Sequence, residues 1–302
     1  MESFVVPHHT KGVEHSDVAS LIVELTMKAL IVPTAYVWVT PAWASDSPVD
    51  HTWVTTYDNQ ITPLPDIEAV AARGERYWFC WGSFHAGGNP AVPLRSGAVD
   101  IPFADCLVRP NAESRTDSAA RGTIFKYGAD GVCHQLANQV LWATKGSTGV
   151  PLTTAGANGY KASVFFYQMY GREKEAWNDK KTSCSPNGGG GGGGGGNEMT
   201  DDPDDDFDKD ARRILPPARF AELKALREQF GVELQLGAEA KIDLLPGKQA
   251  AAEVNDAINM YLHEVAKLLS RSEFESLFGF PPEQRIELVD PNMVGLDRDV
   301  DR

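Results

Sequence analysis

The stretch ADGVCHQLANQVLWAT, residues 129–144, places a cysteine at the start of a predicted helix. Glycines interrupt the strand-like segment GTIFKY before it, and Asp130 is a candidate cap for a helix that begins near Val132. Cys133 would then lie in the first turn, where free backbone N–H groups and the positive end of the helix dipole lower the pKa of a thiol. The stretch therefore predicts a helix whose tip presents a candidate nucleophile.

The same helix has an apolar stripe, and this leaves a second interpretation of its cysteine open. The stripe is formed by Cys133, Leu136, Ala137, Val140 and Leu141, flanked by His134, Gln135, Asn138 and Gln139. A free cysteine on such a stripe is more often a buried core residue than a catalyst. Both interpretations of Cys133, core residue and nucleophile, follow from the pattern.

The residues before a glycine run at position 188 predict a domain of mixed structure, 1–187. Its segment 16–32 has the pattern of a helix, and LPDIEAVAARGE that of a shorter one. Four segments rich in aromatic and β-branched residues predict strands: TAYVWVT (34–40), HTWVTTY (51–57), RYWFCWGSF (76–84) and KASVFFYQMY (161–170). Helices beside a run of strands predict an α+β domain with a mostly antiparallel sheet.

A flexible linker and a helical segment complete the predicted domain organisation. Residues 188–210 combine nine glycines with seven aspartates, a composition that cannot offset the entropy of ordering. Residues 211–302 predict amphipathic helices, the first ending at Gly231 and a short third one capped by Ser272 with Glu275. Because these few helices bury little apolar surface on their own, we expect them to pack on the first domain or on a second copy of the chain. A fused partner that was originally a separate subunit is one interpretation of this segment.

Two histidines on the predicted strands are candidate partners of Cys133. His51 opens the strand HTWVTTY and shares a face with Trp53, and His85 ends the strand after it. His134 points about 100° around the helix from Cys133 and is a poor base for it. We expect the side chains of His134, Gln135, Asn138 and Trp53 to contact a substrate.

The stretches HTWVTTYDNQ and GVCHQLANQVL resemble the corresponding motifs of circularly permuted papain-like proteins, which include the permuted relatives of NlpC/P60 hydrolases and the lecithin:retinol acyltransferase-like enzymes. The resemblance spans roughly residues 34–145, although Val132 stands where that family often has asparagine. It implies that Cys133 is the nucleophile, His51 the base and His85 the third polar residue. It also implies a thiol hydrolase or an acyl or amide transferase that acts on an amide, ester or thioester of a peptide or small molecule, without a cofactor.

Two other functions stay open. Seven tryptophans, several of them in predicted strands, could provide the surface of a non-catalytic assembly or recognition module. His8, His9 and His15 near the start suggest a metal-binding protein, although the sequence contains no ligand motif of defined spacing, and we predict no metal site.

Charge and cysteine usage limit the partners and the compartment. A formal net charge of −14 argues against nucleic acid or an anionic membrane surface as a partner. Four cysteines without a CxxC pair and a start without signal-peptide character predict a reducing compartment, and hence a cytoplasmic protein with no membrane span. Cys80 and Cys106 are then expected in the core, and Cys184 as an exposed residue near the linker.

Overall fold

The computed structural model describes residues 33–41, 48–56, 74–78, 91–110, 122–145, 150–185, 205–291 and 293–294. The predicted helix 16–32 and the short helix in LPDIEAVAARGE lie outside these residues. From Thr34 onward the chain forms one compact unit, which contains both the sheet and the helical segment.

The sheet is antiparallel and has the strand order β2-β1-β3-β4. Its strands are β1 (Thr34–Pro41), β2 (Asp50–Thr55), β3 (Val92–Val99) and β4 (Thr144–Lys145). β1 and β2 correspond to two of the predicted strands, and their register places Thr40 opposite His51. Together with the helices, this sheet makes the protein an α+β fold, as predicted.

The other strand predictions fare differently. Residues 161–170 were expected to form a strand, but the chain is helical over Tyr160–Tyr167. Almost every residue of this helix is buried, so the helix carries apolar side chains on all of its faces. In a short segment, such a continuous apolar run cannot be distinguished from that of a buried strand. GTIFKY forms no strand, and of the segment 76–84 only Tyr77, bridged to Thr55, and its neighbours 76 and 78 are described.

The described residues of the first part of the chain contain four helices. They are α1 (Ile101–Leu107), α2 (Cys133–Leu141), α3 (Tyr160–Tyr167) and α4 (Lys174–Cys184). α2 begins at Cys133, as predicted, but its N-cap is Val132 and not Asp130, whose carboxylate accepts the N–H of Lys126 at 2.8 Å instead. All nine residues of α2 are buried, so this helix passes through the core rather than presenting one inward stripe.

The helical segment consists of α5 (Asp206–Ile214), α6 (Pro217–Leu244), α7 (Gly247–Leu268) and α8 (Arg271–Phe278). α6 was expected to end at Gly231 but continues for more than three turns beyond it. A Cβ at Gly231 would lie 3.1 Å from the carbonyl oxygen of Phe166, so this glycine permits a close approach to α3 and does not stop the helix. The N-terminal capping box of α8 is formed by Ser270 and Glu273, two residues before the predicted pair.

The helical segment is joined to the first part of the chain by a buried arginine. The guanidinium of Arg227 donates to Asp208 at 2.7 Å, to Asp205, and to the carbonyl oxygens of Val164 at 2.7 Å and Phe165 at 3.2 Å. Asp205 also caps α5, which begins inside the segment predicted as linker, 188–210. Part of the aspartate-rich stretch is therefore folded, because its carboxylates cap a helix and pair with Arg227.

Cys106 of α1 and Cys184 of α4 form a disulfide. The predictions that Cys106 lies in the core and that Cys184 is an exposed bystander were wrong. Cys106 is exposed, Cys184 is partly buried, and the two sulfurs are bonded to each other. Disulfides are typical of oxidising compartments, so this bond counts against the predicted reducing environment, and a cytoplasmic location stays a prediction. Among the helices described here, none is both long and apolar enough to cross a membrane.

Candidate functional site

Cys133 lies where the first turn of α2 meets the outer edge of β2. Its Sγ is 4.0 Å from the carbonyl oxygen of Asp50, and the backbone N–H and hydroxyl of Thr52 and the backbone N–H of His134 face the sulfur. The side chain is only 6% exposed. The sulfur is thus held between a strand edge and a helix start, in an environment that offers it hydrogen-bond donors.

Burial decides the protonation of this thiol. It raises the pKa of Cys133 to about 11, while the donors of Thr52 and His134 act in the opposite direction and do not offset it. The expected lowering of the pKa by the helix start was therefore wrong. Removal of water disfavours the thiolate more than the first-turn N–H groups favour it. At neutral pH the resting group is a thiol.

His51 stands between Asp50 and Thr52 in the sequence of β2, and because side chains alternate along a strand, its ring lies on the face of Trp53, opposite to the side chain of Thr52. Its ring stacks on Trp53 with a centroid separation of 5.6 Å. Burial, with a smaller contribution from His134, lowers the pKa of His51 to about 3. The imidazole is therefore neutral at pH 7, which is the form that can accept a proton.

His134 connects three elements of the core. Its Nε2 lies 3.0 Å from the carbonyl oxygen of Asp50 on β2, and its Nδ1 lies 2.9 Å from Oγ of Ser163 on α3. Burial lowers the pKa of His134 to about 4, so the ring is neutral. Since a carbonyl only accepts, Nε2 of the neutral ring carries the hydrogen and Nδ1 is an acceptor that faces the hydroxyl of Ser163, which also lies 2.8 Å from the carbonyl oxygen of Tyr160. Both ring nitrogens of His134 thus lie at hydrogen-bond distance from a partner in the core.

Three side-chain amides of α2 hold the chain that follows α3. Their amide nitrogens donate to three successive backbone carbonyls: Gln135 to Gln168 at 3.0 Å, Asn138 to Met169 at 2.8 Å, and Gln139 to Tyr170 at 2.7 Å. Their oxygens accept backbone N–H groups of Val132, Thr154 and Thr123. This amide clamp fixes Gln168, a non-glycine residue with a φ of 62°. Gln135 and Asn138, predicted to contact a substrate, have their polar atoms engaged with backbone instead.

Replacement of Asn138 by leucine is expected to lower the free energy of unfolding by about 2–4 kcal/mol, because it removes the partner of the half-buried carbonyl of Met169 and of the buried N–H of Thr154. Urea denaturation followed by circular dichroism measures this loss. Gln229→Leu is the control, since that amide bonds to Glu233 on the exposed face of α6. Equal stability of the two variants would contradict a clamp at Asn138.

The remaining predicted site residues are not described. His85 lies outside the described residues, as do His8, His9 and His15. Within the described part of the chain, no cluster of three or more histidine, cysteine, aspartate or glutamate side chains could hold a metal ion.

Sequence reasoning missed Asp50 and Thr52, although both are sequence neighbours of His51 and lie two residues apart on the strand that meets the sulfur. It also missed the amide clamp, whose signal is the spacing of Gln135, Asn138 and Gln139 on one helical face. The resemblance to permuted papain-like enzymes stays a prediction: no family model matches the chain, and neither does a curated protein or a solved structure.

Proposed function

We propose that the protein is a cysteine-dependent hydrolase or acyl or amide transferase, with Cys133 as nucleophile and His51 as base. The observation that supports it is the position of the sulfur, at the first residue of α2 and against the two residues that flank His51 on β2. A thiol with hydrogen-bond donors around it and a neutral imidazole on the adjoining strand are the components of nucleophilic catalysis.

The chemistry starts from a neutral pair. His51 takes the proton of the Cys133 thiol as the sulfur attacks the carbonyl carbon of an amide, ester or thioester, and first-turn N–H groups of α2 stabilise the oxyanion. Collapse of the tetrahedral adduct breaks the bond to the leaving group, which receives the proton from His51. Water or an amine then attacks the carbonyl carbon of the thioester, the bond from carbon to sulfur breaks, and the proton that the nucleophile gives up passes through His51 to regenerate the thiol of Cys133.

Turnover of a panel of activated esters, thioesters and peptide anilides tests this mechanism. We expect Cys133→Ala and His51→Gln each to reduce kcat/KM at least a hundredfold, and intact-protein mass spectrometry to detect an acyl adduct in the wild type but not in Cys133→Ala. Because the pKa of His51 is lowered to about 3, the acid limb of the rate profile should fall well below pH 6.5. His263→Gln is the control, since His263 is exposed on α7.

Undiminished turnover in Cys133→Ala would overturn the proposal. A second candidate is a non-catalytic two-part assembly, which the buried contacts of Arg227 with α3 and α5 favour. On that alternative no member of the panel is turned over or forms an adduct, while Cys133→Ala changes stability alone.

A further inference from the structure

The hydroxyl of Thr52 is an unusual polar group in the core. Thr52 is 0% exposed, and within the described residues its Oγ1 has no conventional hydrogen-bond partner. Other buried threonines differ in this respect, since hydrogen bonds engage the hydroxyls of Thr55, Thr123, Thr144 and Thr154. The polar atom that the Thr52 hydroxyl faces is Sγ of Cys133.

A buried hydroxyl without a strong partner destabilises a fold, and valine would fill the same volume without that cost. A thiol sulfur is a weak acceptor, so the protonated form of Cys133 offers the Thr52 hydroxyl only a weak hydrogen bond. A thiolate is a charged acceptor, and hydrogen bonds to charged groups are about twice as strong as neutral ones. The hydroxyl therefore gains a full partner only when Cys133 loses its proton.

We propose that Thr52 is a positioning residue whose hydroxyl donates a hydrogen bond to the Cys133 thiolate as the thiol proton leaves for His51. The inference rests on the proposed function, in which that thiolate is the attacking species. Thr52 keeps its own proton and forms no bond to the substrate. It acts together with its backbone N–H and that of His134, which face the same sulfur.

The test is the rate at which iodoacetamide alkylates Cys133 as a function of pH, followed by peptide mass spectrometry on the full-length protein with its disulfide intact. We expect Thr52→Val to slow alkylation about tenfold at any pH below the midpoint and to move the midpoint up by about one pH unit. Thr52→Ser keeps the hydroxyl and should restore the wild-type profile. If the valine variant does not fold, Thr52→Ala replaces it with the same expectation.

Thr154→Val is the matched control, because it removes a buried hydroxyl that bonds to Asn138 and does not face the sulfur. It separates general loosening of the core from loss of the specific donor. The titratable groups around the sulfur are Asp50 and His51 on β2, His134 on α2, and Tyr127 and Asp290 beyond them. All of these are unchanged in each variant.

Identical alkylation profiles for wild type, Thr52→Val and Thr52→Ser would overturn the role of Thr52, as would an equal shift in Thr154→Val. If turnover requires Cys133 while Thr52→Val leaves the profile unchanged, the proposed function holds and this inference fails. If Thr52→Val shifts the profile but the panel shows no turnover that depends on Cys133, the hydrogen bond stands and the proposed function fails.

Discussion

Replacement of Arg227 by methionine is expected to lower the free energy of unfolding by about 3–5 kcal/mol, because it removes the buried counter-charge of Asp205 and Asp208 and leaves Asp208 only the partly exposed Lys224 at 3.4 Å. Asp208 is only 3% exposed, and Asp205 lies beside it at the start of α5. The substitution also removes the donors to two carbonyl oxygens of α3, those of Val164 and Phe165. Chemical denaturation of the full chain measures the loss.

Two further variants make this measurement specific to the buried pair. Arg213→Met is the control, since Arg213 pairs with Asp210 at 3.1 Å on the surface, and such pairs contribute at most about 1 kcal/mol. Combining Arg227→Met with Asp205→Asn and Asp208→Asn removes the uncompensated charges and should recover part of the stability. A single variant at Arg227 that is as stable as Arg213→Met would show that this contact does not hold the helical segment in place.

Loss of the disulfide between Cys106 and Cys184 is expected to lower the free energy of unfolding by about 4 kcal/mol. The bond closes a segment of 78 residues, and in the chain-entropy model a loop of this length restricts the unfolded chain by about that amount. The double variant Cys106→Ser and Cys184→Ser removes the cross-link, and urea denaturation without reductant measures the difference.

A phosphine reductant provides the internal control. It should destabilise the wild type to the level of the double variant and leave the double variant unchanged, because Cys133 is a free thiol in both. If the reductant leaves the wild type as stable as before, the two cysteines contribute nothing through a covalent bond.

The sequence was informative where local rules and tertiary context agree. Alternation and β-branched content located β1 and β2, and the glycine break located the start of α2 at Cys133. The prediction of a strand at 161–170 was wrong because a helix that is buried on every side has the same composition as a core strand. Gly231 illustrates the same limit, since only the packing of α6 on α3 explains a glycine inside that helix.

The site shows a similar division. The glycine break places Cys133 at a helix start, and the strand pattern places His51 on β2, so the element that carries each residue was open to prediction. The protonation of both groups was not, because it depends on how completely the surrounding chain excludes water. Nor could the pattern reveal that the amides of α2 are saturated by backbone groups far along the chain. Cys106 and Cys184 meet for the same reason, through tertiary structure alone.

The position of α2 against β2 also bears on self-association. Among the strands that the structure describes, β2 lies at the edge of the sheet, and an edge strand with free N–H and carbonyl groups can pair with another molecule and seed aggregates. Here the carbonyl of Asp50 lies at hydrogen-bond distance from His134, the N–H of Asp50 donates to Asn158 at 2.9 Å, and the carbonyl of Val54 accepts from Trp78 at 3.0 Å. A strand of another molecule could pair with β2 only after these hydrogen bonds had broken. The contacts that form the candidate site therefore also protect this strand against intermolecular pairing.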